Sequence, residues 1–197
     1  MPLDGVIVKP KRSRRQRLQQ RTEESRLCAK PMDNESWRRV LGRLNRRLQV
    51  FPRDAILQPV RVIEAGIGIL NAPMEAYCRA TCGDCLDPCC TGRKVFYNRA
   101  DLLYLVALRK AWPLGQTRVR PEDPCRFLGP RGCLLPRYLR PYVCVWFLCE
   151  AHMELFQAEP PTVQRRWIQT LLDIRNARLR LENLFESRFP GDTCDEA

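Results

Sequence analysis

The stretch Cys78-Arg-Ala-Thr-Cys82-Gly-Asp-Cys85-Leu-Asp-Pro-Cys89-Cys90 decides how this chain must fold, because five sulfurs fall within thirteen residues. A second set follows at Cys125, Cys133, Cys144 and Cys149, so nine of the eleven cysteines lie between positions 78 and 149. A turn of a few residues is enough to aim neighbouring thiolates at one point, where they can close around a soft cation or cluster. The pattern therefore reads as a metal or iron–sulfur centre around which helices must be packed.

Working outward, 197 residues with 45% apolar content suit one small domain with appendages. The fold class expected is mainly α with irregular Cys-rich loops. The expected divisions are a basic mobile arm at 1–30, a helical lead-in at 31–76, a Cys-rich metal-binding core at 77–157, a C-terminal helix at 158–189 and an acidic tail at 190–197. The net charge of +12 is uneven: the first 30 residues hold nine Lys or Arg against Asp4, Glu23 and Glu24. Such an arm suits an anionic partner, nucleic acid among them, or a protein partner, or simply solvent. Cys28 and Cys194 stand apart from the clusters and read as spare thiols.

Val6-Ile7-Val8 is far too short for the apolar core of a secretory signal, and no uninterrupted apolar run reaches the length of a membrane span. A cytoplasmic location is the expectation. In a reducing compartment, clustered thiols ligate metals or do redox chemistry more often than they form disulfides; export would turn the same sulfurs into a disulfide framework.

Trp37, Val40, Leu41, Leu44 and Leu48 recur at helical steps with Asp33 or Asn34 as cap, and Pro52 bounds the segment. Arg38, Arg39, Arg43, Arg46 and Arg47 take the opposite side. Residues 53–76 read as mixed, broken by Pro59, Gly66, Gly68 and Pro73, with a short strand at Val60–Ile63. Asn98 caps a helix over 98–111, with an apolar stripe of Leu102, Leu105, Val106 and Leu108. The Pro- and Gly-rich loop that follows delivers Cys125 and Cys133 from turns. Val143–Phe156 reads as one short helix, and Pro160-Pro161 starts a long one ending before Pro190-Gly191, with Arg175, Arg178, Arg180, Glu182 and Glu186 on an exposed charged face.

Zinc takes four thiolates or imidazoles, and an iron–sulfur cluster about four thiolates, so eight sulfurs imply two centres or one multinuclear centre. Neighbouring Arg79, Arg93, Lys94, Arg99, Arg126, Arg131, Arg137 and Arg140 can offset the anionic charge of either. His152, the only histidine, follows Cys149 by three residues and could be a ligand or a proton carrier; since the sulfurs already suffice, the favoured reading is a partly exposed, uninvolved side chain. A single histidine and the absence of a glycine cradle argue against a hydrolytic triad or a Rossmann site. A thioredoxin-like role for Cys82-Gly-Asp-Cys85 lacks the preceding strand and βαβ pattern.

Cys82-x2-Cys85-x3-Cys89-Cys90, then Cys125-Arg-Phe-Leu, Gly132-Cys133, Tyr138-Leu-Arg140-Pro141-Tyr-Val-Cys144 and Phe147-Leu-Cys149, resembles the bacterial zinc- or iron-chelating family named for its CxxCxxCC motif, also called the YkgJ family. The resemblance covers residues 78–150. It implies metal ligation by Cys82, Cys85, Cys89, Cys90, Cys125, Cys133, Cys144 and Cys149, with Arg140 behind the ligands and Pro141 setting a turn. The chain departs from the pattern in having three residues before the vicinal pair, one residue more between Cys133 and Cys144, and an additional Cys78, which could replace one of the ligands. The family implies chelation of an iron–sulfur or zinc centre without a settled reaction. Two alternatives stand beside it: a redox or protein-modifying enzyme, since a similar module occurs in flagellin lysine methylases, and a zinc-stapled module binding nucleic acid through the basic arm.

Overall fold

The computed structural model describes residues 30–86, 88, 95–130 and 132–192. Their helices are α1 (Asn34–Leu48), α2 (Arg53–Thr81), α3 (Arg99–Leu108), α4 (Val143–Trp146), α5 (Glu150–Ala158) and α6 (Pro161–Arg188). A two-stranded hairpin of β1 (Leu128–Gly129) and β2 (Gly132–Cys133) and a 3-10 turn, Arg137–Leu139, lie between α3 and α4. The protein is mainly helical, as its periodicity implies. The basic arm, Cys28, Cys89, Cys90, Arg93, Lys94, Arg131 and Cys194 lie outside the described residues.

Asp33 opens α1, its carboxylate accepting from the backbone N–H groups of Glu35 at 2.9 Å and Ser36 at 2.8 Å. Trp37, Val40, Leu41, Leu44 and Leu48 are all buried, whereas Arg38, Arg39 and Arg46 are exposed. Amphipathic spacing thus sets this helix directly.

In α2 the local breakers lose. Residues 53–81 form one helix through Pro59 and Pro73, with no strand at Val60–Ile63. Ile56, Val60, Ile63, Ile67, Leu70, Met74 and Tyr77 recur every three or four residues and are buried. At about 1.5–3 kcal/mol for each large apolar side chain buried, such a stripe outweighs a penalty of about 3 kcal/mol for each interior proline. Gly66 serves packing: a Cβ there would sit 2.5 Å from Ile174 Cγ1 of α6, so a bare backbone is what lets the two helices approach. By length and composition α2 is also apolar enough to cross a membrane, although its apolar residues are interrupted by polar and charged ones. Here its apolar stripe is packed into the core, against α6 and α3.

Asn98 and Asp101 form a reciprocal capping box at the start of α3. All ten residues of α3 are buried, so the helix presents no solvent face and the expected single stripe is too narrow a description. Asp101 Oδ1 accepts from Arg178 Nη1 at 2.6 Å and from Tyr142 N at 3.0 Å, while Arg178 Nη2 donates to Asn98 Oδ1 at 3.0 Å. Arg178 is therefore buried rather than part of an exposed charged face, and its guanidinium lies 4.3 Å from the Tyr142 ring centroid. Glu182 and Glu186 likewise face Arg99. Arg178, Glu182 and Glu186 thus serve α3, while Arg175 and Arg180 of the same expected face are exposed.

Residues 143–156 do not form one helix. The chain leaves the helical region at Phe147, and Cys149, in extended conformation, caps a separate α5.

Candidate metal centre

Cys78 sits in the last turn of α2 and Cys82 caps its C-terminus, four residues apart and hence on one face of the helix. His152 lies in α5, which packs against α2. The two sulfurs and an imidazole nitrogen of His152 lie within 4.8 Å of one another. Cys82 Sγ is 3.9 Å from His152 Nε2. With metal–sulfur and metal–nitrogen distances of about 2.3 and 2.0 Å, tetrahedral ligands stand roughly 3.5–3.8 Å apart, so the three donors need shifts of about 1 Å or less to share one ion.

His152 is only 4% exposed, which corrects the reading of it as a partly exposed bystander. Its ring lies 5.9 Å from Tyr77, which in turn stacks on Trp167 at 5.6 Å. Burial, then the charge of Arg137, holds its pKa below 6.5, against a smaller upward pull from a hydrogen bond with the Tyr77 backbone. The neutral imidazole is thereby favoured, and a backbone bond of that kind orients a ligating histidine. Tyr77 donates to Glu159 at 3.1 Å, and burial followed by Glu159 pushes its phenol up to about 12.

Arg137 stands behind this group. Its Nη2 donates to Glu75 Oε1 at 2.6 Å and lies 3.8 Å from Cys78 Sγ, and its Nη1 donates to the Cys144 carbonyl at 3.2 Å. Arg140 also reaches Glu75, at 3.0 Å, and donates from Nε to the Leu135 carbonyl at 2.8 Å. Burial alone would raise the Glu75 pKa, but Arg140 and Arg137 together hold it below 4.5. Of the other basic residues proposed to balance the sulfurs, Arg99 faces Glu182 and Glu186, and Arg126 donates to Asn34.

The phenol of the buried Tyr97 is pushed up first by burial, then by Asp101 and then by Cys144, Cys133 and Cys125. Among the described residues these three sulfurs do not form a group close enough to share one ion. Tyr97 donates to the Leu139 carbonyl at 2.6 Å, and its backbone pairs in both directions with the Gln116 amide. Arg126 N donates to the Thr117 carbonyl and Leu134 N to the Phe127 carbonyl, strapping Cys125 and Cys133 into place. Cys133 arrives on β2, opposite Leu128, rather than from a turn. Cys144 is in α4 and Cys149 at the head of α5, while Cys85 is exposed.

Comparisons with protein-family models, curated proteins and solved structures return no match. The site must be read from its own residues. Cys78, treated in the sequence as an extra sulfur, and His152, set aside there, join Cys82 in the three-donor group. The signal was present in the four-residue step from Cys78 to Cys82, but it counts only if α2 continues to Thr81. Of the resemblance-based ligand set, Cys82 lies with Cys78 and His152, and Cys125, Cys133 and Cys144 do not join that group among the described residues.

Proposed function

We propose that this is a metal-binding protein of the CxxCxxCC kind, acting in a reducing cytoplasm, and that Cys78, Cys82 and His152 hold one of its metal ions. The carrying observation is the approach of two sulfurs and a buried imidazole to within 4.8 Å. Two thiolates with one imidazole form a donor set that suits zinc, with a fourth position left for another thiolate, water or substrate. A bound zinc ion would supply Lewis acidity there. Arg137 would hydrogen-bond the Cys78 thiolate and offset its charge.

A second centre, zinc or iron–sulfur, within the eight-cysteine core rests on the resemblance alone, because Cys125, Cys133 and Cys144 do not converge on one point among the described residues. The enzymatic and nucleic-acid readings have no comparable geometric support, and the basic arm lies outside the described residues.

The test is metal and acid-labile sulfide content, with a visible spectrum, on protein purified without oxygen. Stoichiometric zinc without sulfide supports the three-donor site, provided that Cys78→Ser, Cys82→Ser and His152→Ala each lower bound zinc by about tenfold or more. Iron with sulfide in a coloured protein, retained in His152→Ala, would move the centre to the remaining cysteines of the core. Equal metal content in all variants would overturn the assignment.

A further inference from the structure

We propose that the cavity between α2 and the segment 134–140 binds a small amphiphilic oxyanion, a carboxylate or phosphate carried on an apolar body. The cavity has a volume of about 570 Å³. One wall is a single face of α2, on which Glu64, Ile67, Gly68, Asn71 and Glu75 follow at helical steps. Glu64 and Glu75 are separated by eleven positions, or roughly 16 Å along the helix axis. The opposite wall carries Leu134, Leu135, Tyr138 and Arg140.

Two observations assign the ligand class. Lys110, Arg137 and Arg140 line the cavity against the two carboxylates of Glu64 and Glu75, with Arg137 and Arg140 sharing Glu75, so that among the described residues of the lining one positive charge is left uncompensated. Leu134 is 69% exposed at this cavity, and a Cβ built on Gly68 would meet nothing within 4 Å. Apolar surface and open space beside surplus cations fit a molecule with one anionic end and one apolar end.

The cation-rich end adjoins Arg137, so the anionic group would lie one side chain away from Cys78. The inference does not rest on the metal reading, because none of Cys78, Cys82 and His152 lines the cavity.

Calorimetric titration of the full chain with 3-phenylpropanoate, phenyl phosphate and 3-phenylpropylammonium tests it. Saturable binding of at least one of the two anions is expected, and which one binds separates carboxylate from phosphate recognition. Arg140→Gln should weaken that binding by about tenfold or more. Gly68→Phe, at an exposed helical position with open space above it, should block it while leaving helicity and metal content unchanged. Arg175→Gln, exposed on α6, should leave binding unchanged. Absence of saturable binding for both anions, equal binding of the ammonium compound, or full affinity in Gly68→Phe would overturn the inference.

Discussion

Cys78 and Cys82 are placed by one helix, whereas Cys125, Cys133 and Cys144 are placed by a loop, a two-residue strand and a four-residue helix. In the first region the backbone hydrogen bonds of α2 already hold the sulfurs one turn apart, and a single partner from α5 completes the group. In the second, no regular element is long enough to set a distance. The sulfurs depend instead on Tyr97, Gln116 and the straps from Thr117 and Phe127. A helix end makes a site locally; loops make one only when buried polar contacts hold them.

The sharpest way to break this contrast is Arg178→Met. Arg178 donates to Asp101 and Asn98, and Asp101 also accepts from the Tyr142 backbone beside Cys144. Leaving the Asp101 carboxylate buried without its cation should cost about 3–5 kcal/mol, read as a lower urea midpoint. In mild denaturant, Cys144 should then react faster with an alkylating reagent while Cys78 keeps its rate. Equal acceleration at both would mean that the two regions open as one unit.

A smaller effect is expected from Tyr97→Phe, which removes the bond to the Leu139 carbonyl and leaves the ring in place. The cost should be about 1–2 kcal/mol, and labelling of Cys133 and Cys144 should rise. Unchanged labelling would show that the straps suffice without the phenol.

The smallest effect concerns Glu75, which joins the regions through Arg137, since Arg137 reaches both Cys78 Sγ and the Cys144 carbonyl. Its folded pKa lies below 4.5, because Arg140 and Arg137 outweigh burial. The unfolded chain therefore takes up the proton at higher pH than the folded one. The contribution is fully present above pH 4.5 and is lost as pH falls through the folded value. Glu75→Gln should flatten that acid limb in denaturant titrations; an unchanged slope would place the acid sensitivity elsewhere.

Legibility differed from element to element. α1 and α6 could be read from spacing because Trp37 and Leu41, like Trp167 and Ile174, face the core from helices with a solvent side. α2 could not, because Pro59, Pro73, Gly66 and Gly68 are local signals of breakage, and only the partner helix shows what overrides them. The role of Arg178 was equally hidden, since a charge on an amphipathic helix reads as solvated until Asp101 is found opposite it. His152 failed for a similar reason: three residues from Cys149 it looked redundant, and its closeness to Cys82 spans 70 residues of chain.

By itself, then, the sequence determined the helical class, a cap at Asp33 or Asn34 and another at Asn98, the reach of α6 and the presence of two sulfur-rich segments. These follow from period and local hydrogen bonding, which act over a few residues. Only the tertiary structure decided that α2 runs unbroken to Thr81 and that Cys78 and Cys82 meet His152. Those outcomes depend on burial and on ion pairs between residues far apart in the chain, where the energy of packing outweighs every local preference against it.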